Sequence, residues 1–193
     1  MEYLDLNNKD DKELIANYLN GQDEILPYLI NRHLKSVYRF VFGLVQDESV
    51  AEDLTQDVFI KVWRKLKSFN SKYSFKTWLF TIARNTTTDY LRKRKEFVFS
   101  DFDDKDDSNV ILDTLADDAL LADEVFAQAQ DLDKLSKVLG EMPSLYKEVL
   151  ILKYSNDLTL EEISTILKRP IETVKSQHRR GLSHLKELFS RII

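Results

Sequence analysis

Three groups of side chains in this chain could do chemistry, and in each case the chemistry is binding. Lys175, Ser176, Arg179 and Arg180 fall within a few positions of one another near the C-terminus. Arg offers a planar fork that suits guanine or phosphate, and Lys and Ser can meet base edges or phosphates. Lys76, Arg84 and Asn85 precede a run of cations, Arg92-Lys93-Arg94-Lys95, and lie close in sequence to Tyr73, Phe75 and Phe80. Cations with amide and aromatic neighbours neutralise phosphates and stack or hydrogen-bond exposed bases, as a single-strand site requires. Most of these aromatics belong in a core, and Trp63 and Trp78 in particular sit at core spacing. Asp53, Gln56 and Asp57, with Ile60, recur at intervals of three and four. An acidic, partly apolar stripe is wrong for DNA and right for a basic protein surface.

The same inventory argues against catalysis. The chain has no cysteine, so disulfides, thiolate metal sites and thiol nucleophiles are excluded. His33, His178 and His184 are too few and too scattered for a metal centre, and His178 reads as a packing residue. No glycine-rich phosphate loop, zinc-ligand spacing or nucleophile motif occurs. Acidic pairs such as Glu52-Asp53 are adjacent and point apart on a helix. No catalytic, cofactor-binding or metal-binding residue is therefore expected, nor a small-molecule substrate.

Charge is segregated. The net charge is −5 over 193 residues. From Glu96 to Asp133 there are 13 acidic residues against Lys105 alone, a local −12. Lys61 to Lys95 carries 11 basic residues against Asp89, a local +10, and Lys168 to Arg191 carries seven against two, a local +5. Two basic blocks separated by an acidic connector imply a polyanion contacted at two places.

These groups need elements to position them, and the elements are helices. Four glycines and three prolines leave few turns. Periodicity predicts helices over about 10–20, 23–46, 48–67 and 75–95. The second carries an apolar stripe of Leu26, Leu29, Ile30, Leu34, Val37, Tyr38, Val41 and Val45, and Pro27 is tolerated in its first turn. The acidic stretch after Lys95 has no sustained period and reads as a linker, with a helical pattern returning from about Asp117 to Leu139. Helices follow at 144–156, 159–167 and 171–190. The fold class is all-α, with two helical lobes, 1–95 and 134–193, joined by the acidic segment 96–133. No stretch approaches the ~18 apolar residues of a membrane span, and the acidic N-terminus is not a secretory signal, so no membrane insertion and a cytoplasmic location are expected.

The last lobe has the grammar of a helix-turn-helix. Thr159 and Glu162 form a capping box, and Lys168-Arg169-Pro170 supplies the turn. The second helix, anchored by Ile171, Val174, His178, Leu182, Leu185, Leu188 and Phe189, presents Lys175, Ser176, Arg179 and Arg180 from the half that enters a major groove. Gly181 sits inside that helix, where it costs ~1 kcal/mol relative to Ala but permits a close approach by another element.

Four segments in register carry a resemblance: AEDLTQDVFIKVW, FKTWLFTIARNTTTDYLRKRK, MPSLYKEVLIL and LEEISTIL followed by TVKS and an arginine. Together they resemble the extracytoplasmic-function (ECF) group of bacterial sigma-70 family sigma factors, over roughly residues 10–95 and 134–190. The resemblance implies a first lobe that is sigma domain 2, binding core RNA polymerase and the promoter −10 element, and a second that is sigma domain 4, binding the −35 element. It places Asp53, Gln56 and Asp57 in the polymerase-binding helix. It places Asn70, Ser71, Lys72, Tyr73 and Ser74 in the loop that captures a flipped −10 base, and Arg84, Asn85 and Asp89 in the −10-reading helix, with Lys76 at its start. Lys175, Ser176, Arg179 and Arg180 take the −35-reading positions. It also implies an anti-sigma partner, often membrane-anchored. The chain departs from the common pattern at Gln177 and His178, where Arg and an aliphatic residue are frequent, and at Gly181-Leu182, where Ala-Arg is frequent.

Two other classes account for less of the sequence. An operator-binding repressor that dimerises through its first lobe leaves the second basic block and the acidic stripe unused. A helical enzyme has no motif in its favour. The charge pattern carries one further expectation. Close approach of the −12 connector, or of one lobe to the other, would mask the DNA surfaces of the free chain, because charges interact over only about 8 Å at physiological salt and a tether enforces such approach.

Overall fold

The computed structural model describes Leu6 and residues 8–97 and 139–192. Every regular element among the described residues is helical. The connector beyond Phe97 and the helical pattern before Leu139 lie outside the described residues.

Helix α1 (Asp11–Leu19) begins where the Asp10 side chain accepts the Glu13 amide at 2.8 Å. It ends at Gly21, whose φ of +95° is open to glycine and strained for other residues. Helix α2 (Ile25–Val45) holds Pro27 in its first turn and stops at Gln46, a left-handed C-cap. Its buried face runs through Leu29, His33, Val37, Phe40 and Val41. Leu34, expected in that stripe, is 42 % exposed, because the face is centred on His33 and Phe40. His33 and Arg32 fasten α1 to α2. His33 Nε2 pairs with Asp11 at 2.8 Å, and Arg32 donates to Asp11 and to the carbonyls of Lys9 and Leu6. Burial alone would raise the Asp11 carboxyl. The hydrogen bonds and charges of His33 and Arg32 outweigh it and hold it below the usual carboxylate range.

Helix α3 (Glu48–Lys65) starts at Asp47, whose side chain accepts the Val50 amide, and tightens into a 3₁₀ turn (Leu66–Ser68). Helix α4 (Phe75–Phe97) buries Phe75, Leu79, Phe80, Ile82 and Ala83 against α2 and α3.

The second lobe opens with α5 (Ser144–Leu150), entered through Pro143. The sequence predicts one helix to Asn156. The chain instead widens into a π-helical segment over Ile151–Ser155, and the Asn156 side chain donates to the Ile151 carbonyl. The reason is packing. Val149, Leu150, Ile151 and Leu152 are all buried, with α2 meeting the segment on one side and the last helix meeting α5 on another. Four consecutive buried side chains exceed what one face of an α-helix offers, and a π-turn widens the inward arc. Helices α6 (Leu160–Leu167) and α7 (Ile171–Ile192) complete the lobe.

The lobes are in contact, and their apolar side chains form one continuous cluster. Gly43 of α2 marks a close approach between them. A Cβ there would lie 2.5 Å from Cδ1 of Ile151 and 3.3 Å from Cδ1 of Leu139. Helices α4 and α6 pack along the same boundary.

Candidate nucleic-acid interface

The helix-turn-helix forms from the residues that encode it. Glu162 N donates to Thr159 Oγ1 at 3.2 Å and Thr159 N to Glu162 Oε2 at 2.9 Å, a complete capping box. Lys168 takes a left-handed conformation at the C-cap, with φ of 54°. The turn is closed by Ser164, whose hydroxyl donates to the Arg169 carbonyl at 2.7 Å, and by the Arg169 amide, which returns to the Ser164 carbonyl.

Helix α7 buries Val174, Leu182, Leu185 and Leu188. Lys175 is exposed, and its ammonium pairs with Glu172 at 2.8 Å, which raises its pKa. Ser176, Arg179 and Arg180 are half-buried on the same helix. Gln177, one of the departures from the common pattern, is buried and accepts from Arg169 Nη1 at 3.1 Å. It supports the turn rather than facing outward. His178 stacks on Tyr154 of the π segment with ring centroids 5.7 Å apart, and its Nε2 pairs with the Tyr154 hydroxyl at 3.0 Å. Burial and the Lys153 charge push its imidazole pKa down, which keeps it a neutral packing residue. Gly181 is needed where it stands. A Cβ would come within 3.1 Å of Leu150 Cγ and 3.3 Å of Tyr146 Cβ, so α5 crosses α7 at this point.

In the first lobe, Asn70, Ser71, Lys72, Tyr73 and Ser74 form an exposed loop before α4. Asn70 Oδ1 accepts the Lys72 amide at 3.0 Å, which shapes the turn. Tyr73 is 64 % exposed, whereas Phe75 and Phe80 are core residues; Tyr73 alone of the three presents a ring for stacking. Lys76 is half-buried at the start of α4. Asn85 and Asp89, one helical turn apart, are exposed, and Asp89 pairs with Arg92 at 3.2 Å on the surface. Arg84 does not join them. It points across the lobe boundary, and its Nε donates to Glu148 Oε1 of α5 at 3.2 Å.

Asp53, Gln56 and Asp57 are exposed on α3, and Ile60, 43 % exposed, extends their stripe. Trp63, expected in the core, is 52 % exposed and donates through Nε1 to the Tyr18 hydroxyl. It stands two turns from Gln56 on the outer face, not with Val58 and Val62. Trp78 packs at the core edge against Phe69 and Phe75. Sequence reasoning missed Gly43, Thr77 and Glu148 as residues that join the lobes. Glu162 and Arg84 carried signals, but for a cap and for a nucleic-acid contact.

Comparison with known proteins fits this arrangement lobe by lobe. The family described as Sigma-70 region 2 matches residues 29–97, and Sigma-70, region 4 matches residues 132–185. The ECF RNA polymerase sigma factor SigM of Bacillus subtilis (strain 168) is 30% identical over 165 residues, spanning 82% of this chain and 91% of SigM. The chain belongs to the ECF RNA polymerase sigma factors. SigW of the same organism is 26% identical over 177 residues, covering 91% of this sigma factor and 95% of SigW. Among solved structures, the sigma factor RpoE from Bartonella quintana, in complex with the anti-sigma factor NepR, superposes with a TM-score of 0.62 at 26% identity, over 83% of this chain and 94% of that one. CnrH, in complex with the cytosolic domain of CnrY, shares the fold with a TM-score of 0.68 at 20% identity, over 94% and 97% of the two chains. As a sigma factor, the protein serves transcription initiation. No helix among the described residues is long and apolar enough to cross a membrane.

Proposed function

We propose that this sigma factor works in the bacterial cytoplasm, binds core RNA polymerase through its first lobe and divides promoter recognition between its two lobes. Residues 1–95 act as sigma domain 2, 134–193 as sigma domain 4, and 96–133 as an acidic tether. Asp53, Gln56 and Asp57 meet a basic surface of the polymerase. Asn70, Ser71, Lys72, Tyr73, Ser74, Lys76, Arg84, Asn85 and Asp89 engage the −10 strand. Lys175, Ser176, Arg179 and Arg180 read the −35 duplex. The target is a stress- or signal-responsive regulon, and an anti-sigma factor is the restraining partner; the complex of RpoE with the anti-sigma factor NepR supports that last reading.

The observation that carries the proposal is the pairing of two different basic surfaces on one chain. One is a loop with an exposed tyrosine, suited to single strands, and the other a helix-turn-helix, suited to the major groove. Reconstitution with core RNA polymerase and a promoter library, followed by transcript mapping, tests it. Transcripts that share a −10 and a −35 sequence are the expected result. Polymerase that gains no promoter selectivity from the protein would overturn the proposal.

A further inference from the structure

Arg84 lies on the helix assigned to the −10 strand, yet its Nε is engaged by the other lobe. Its acceptor, Glu148, is buried and shared. Oε1 accepts Arg84 at 3.2 Å and Oε2 meets Arg169 Nη2 at 3.3 Å, with all three side chains largely out of solvent. Arg169 is the middle residue of the helix-turn-helix turn, and its Nη1 donates to Gln177 of α7. A polar chain thus runs from the recognition helix, through Arg169 and Glu148, to the −10 helix.

We propose that Glu148 stands in for a DNA phosphate. In the closed chain it occupies Arg84 of the first lobe and Arg169 of the second, holds the lobes together, and has to be released before α4 can take promoter DNA. This rests on the reading of α4 as the −10 surface. Two carboxylate oxygens on two guanidinium groups reproduce what a phosphate would offer them. Glu148 competes with a phosphate for the same Nε–H, and the closed chain also keeps the Arg84 side chain largely out of solvent, so closure disfavours DNA contact at Arg84. The apolar half of the latch is Gly43. It stands in the last turn of α2, and its use there is to admit Ile151 and Leu139. Leu139, fully buried, packs on this glycine from the second lobe. Thr77 and Glu162 add a second polar tie along the same boundary. Any ligand that binds only the open form then sees its affinity reduced by the fraction of chain that is open.

The test uses the full chain, in which Lys67→Cys and Glu141→Cys supply the only cysteines for a donor and acceptor pair. Glu148→Gln keeps the shape and removes the charge. Gly43→Leu leaves every charge in place and wedges the lobes apart. Both variants should lower energy transfer and tighten binding of a labelled mixed-sequence single-stranded DNA oligonucleotide, by about tenfold, without polymerase. Unchanged transfer in both variants would overturn the latch. Lowered transfer with unimproved DNA binding would overturn the masking. In the opened Gly43→Leu chain, Arg84→Ala separates that failure from failure of the underlying reading: if DNA binding falls, α4 is still a DNA surface, and only the competition by Glu148 is lost.

Discussion

The hydroxyl of Thr77 donates to Oε1 of Glu162 at 3.1 Å, while Oε2 of the same carboxylate accepts the Thr159 amide at 2.9 Å. One side chain therefore caps a helix in its own lobe and ties that helix to the other. The cap fixes the carboxylate in place, so the tie across the boundary costs little extra ordering of Glu162.

The two duties separate by mutation. Glu162→Ala removes both and should destabilise the protein by about 1–2 kcal/mol, the usual range for a lost cap. Thr77→Val removes only the tie and leaves the cap intact, so its cost should stay below about 1 kcal/mol. Urea unfolding of the two variants checks this order. A larger loss from Thr77→Val would mean that lobe docking, not the cap, is the main contribution of Glu162.

Lys147 gives the protein a stability that rises with pH. Its side chain is 7 % exposed on α5, and burial lowers its pKa to about 8. In the unfolded chain the ammonium titrates near 10.4. Between those values the unfolded state binds more protons than the folded state, so stability increases as pH rises from about 8 towards 10. Discounted for the water that still reaches the amine, the gain is on the order of 1–2 kcal/mol. Unfolding free energies at several alkaline pH values, compared between wild type and Lys147→Met, isolate it. The substitution should flatten the slope; parallel slopes would show that the ammonium remains solvated.

Local rules wrote most of this fold, and long-range packing wrote the rest. Thr159, Glu162 and Pro170 mark the helix-turn-helix because caps and turns are decided within a few residues. Gly181 signals a close approach because a mid-helix glycine needs a reason, although α5 as the neighbour follows only from the fold. Trp63 misled because two positions either way on a helix move a side chain between core and surface. The π segment at Ile151–Ser155 was not legible, since it depends on which helices enclose it. Arg84 and Glu148 meet only because the lobes close, and neither residue carries a mark of that pairing in its own sequence neighbourhood.

The acidic stripe of α3 should be separable from the fold. Asp53 and Asp57 are exposed, so reversing both to Lys leaves the core of α3 untouched. The double variant should keep its circular dichroism spectrum and lose association with core polymerase in co-purification. Undiminished co-purification would remove this face from the polymerase contact.

The residues of α7 should divide into readers and supports. Gln177 is buried against Arg169, so Gln177→Ala acts on the turn. It should weaken every promoter alike and lower stability by about 1 kcal/mol, because Arg169 loses a buried acceptor. Arg179→Ala and Arg180→Ala should instead cost about 1–3 kcal/mol at one or two −35 positions, if each side chain meets a base edge. A guanidinium that only touches phosphate gives a different signature, a uniform loss with the salt slope reduced by about one. A −35 library measured against each variant at two salt concentrations separates the three patterns. Position-specific losses for the arginines and a uniform loss for Gln177 are expected. A Gln177→Ala profile that changes sequence preference at one position would make that residue a reader and the hydrogen bond to Arg169 incidental.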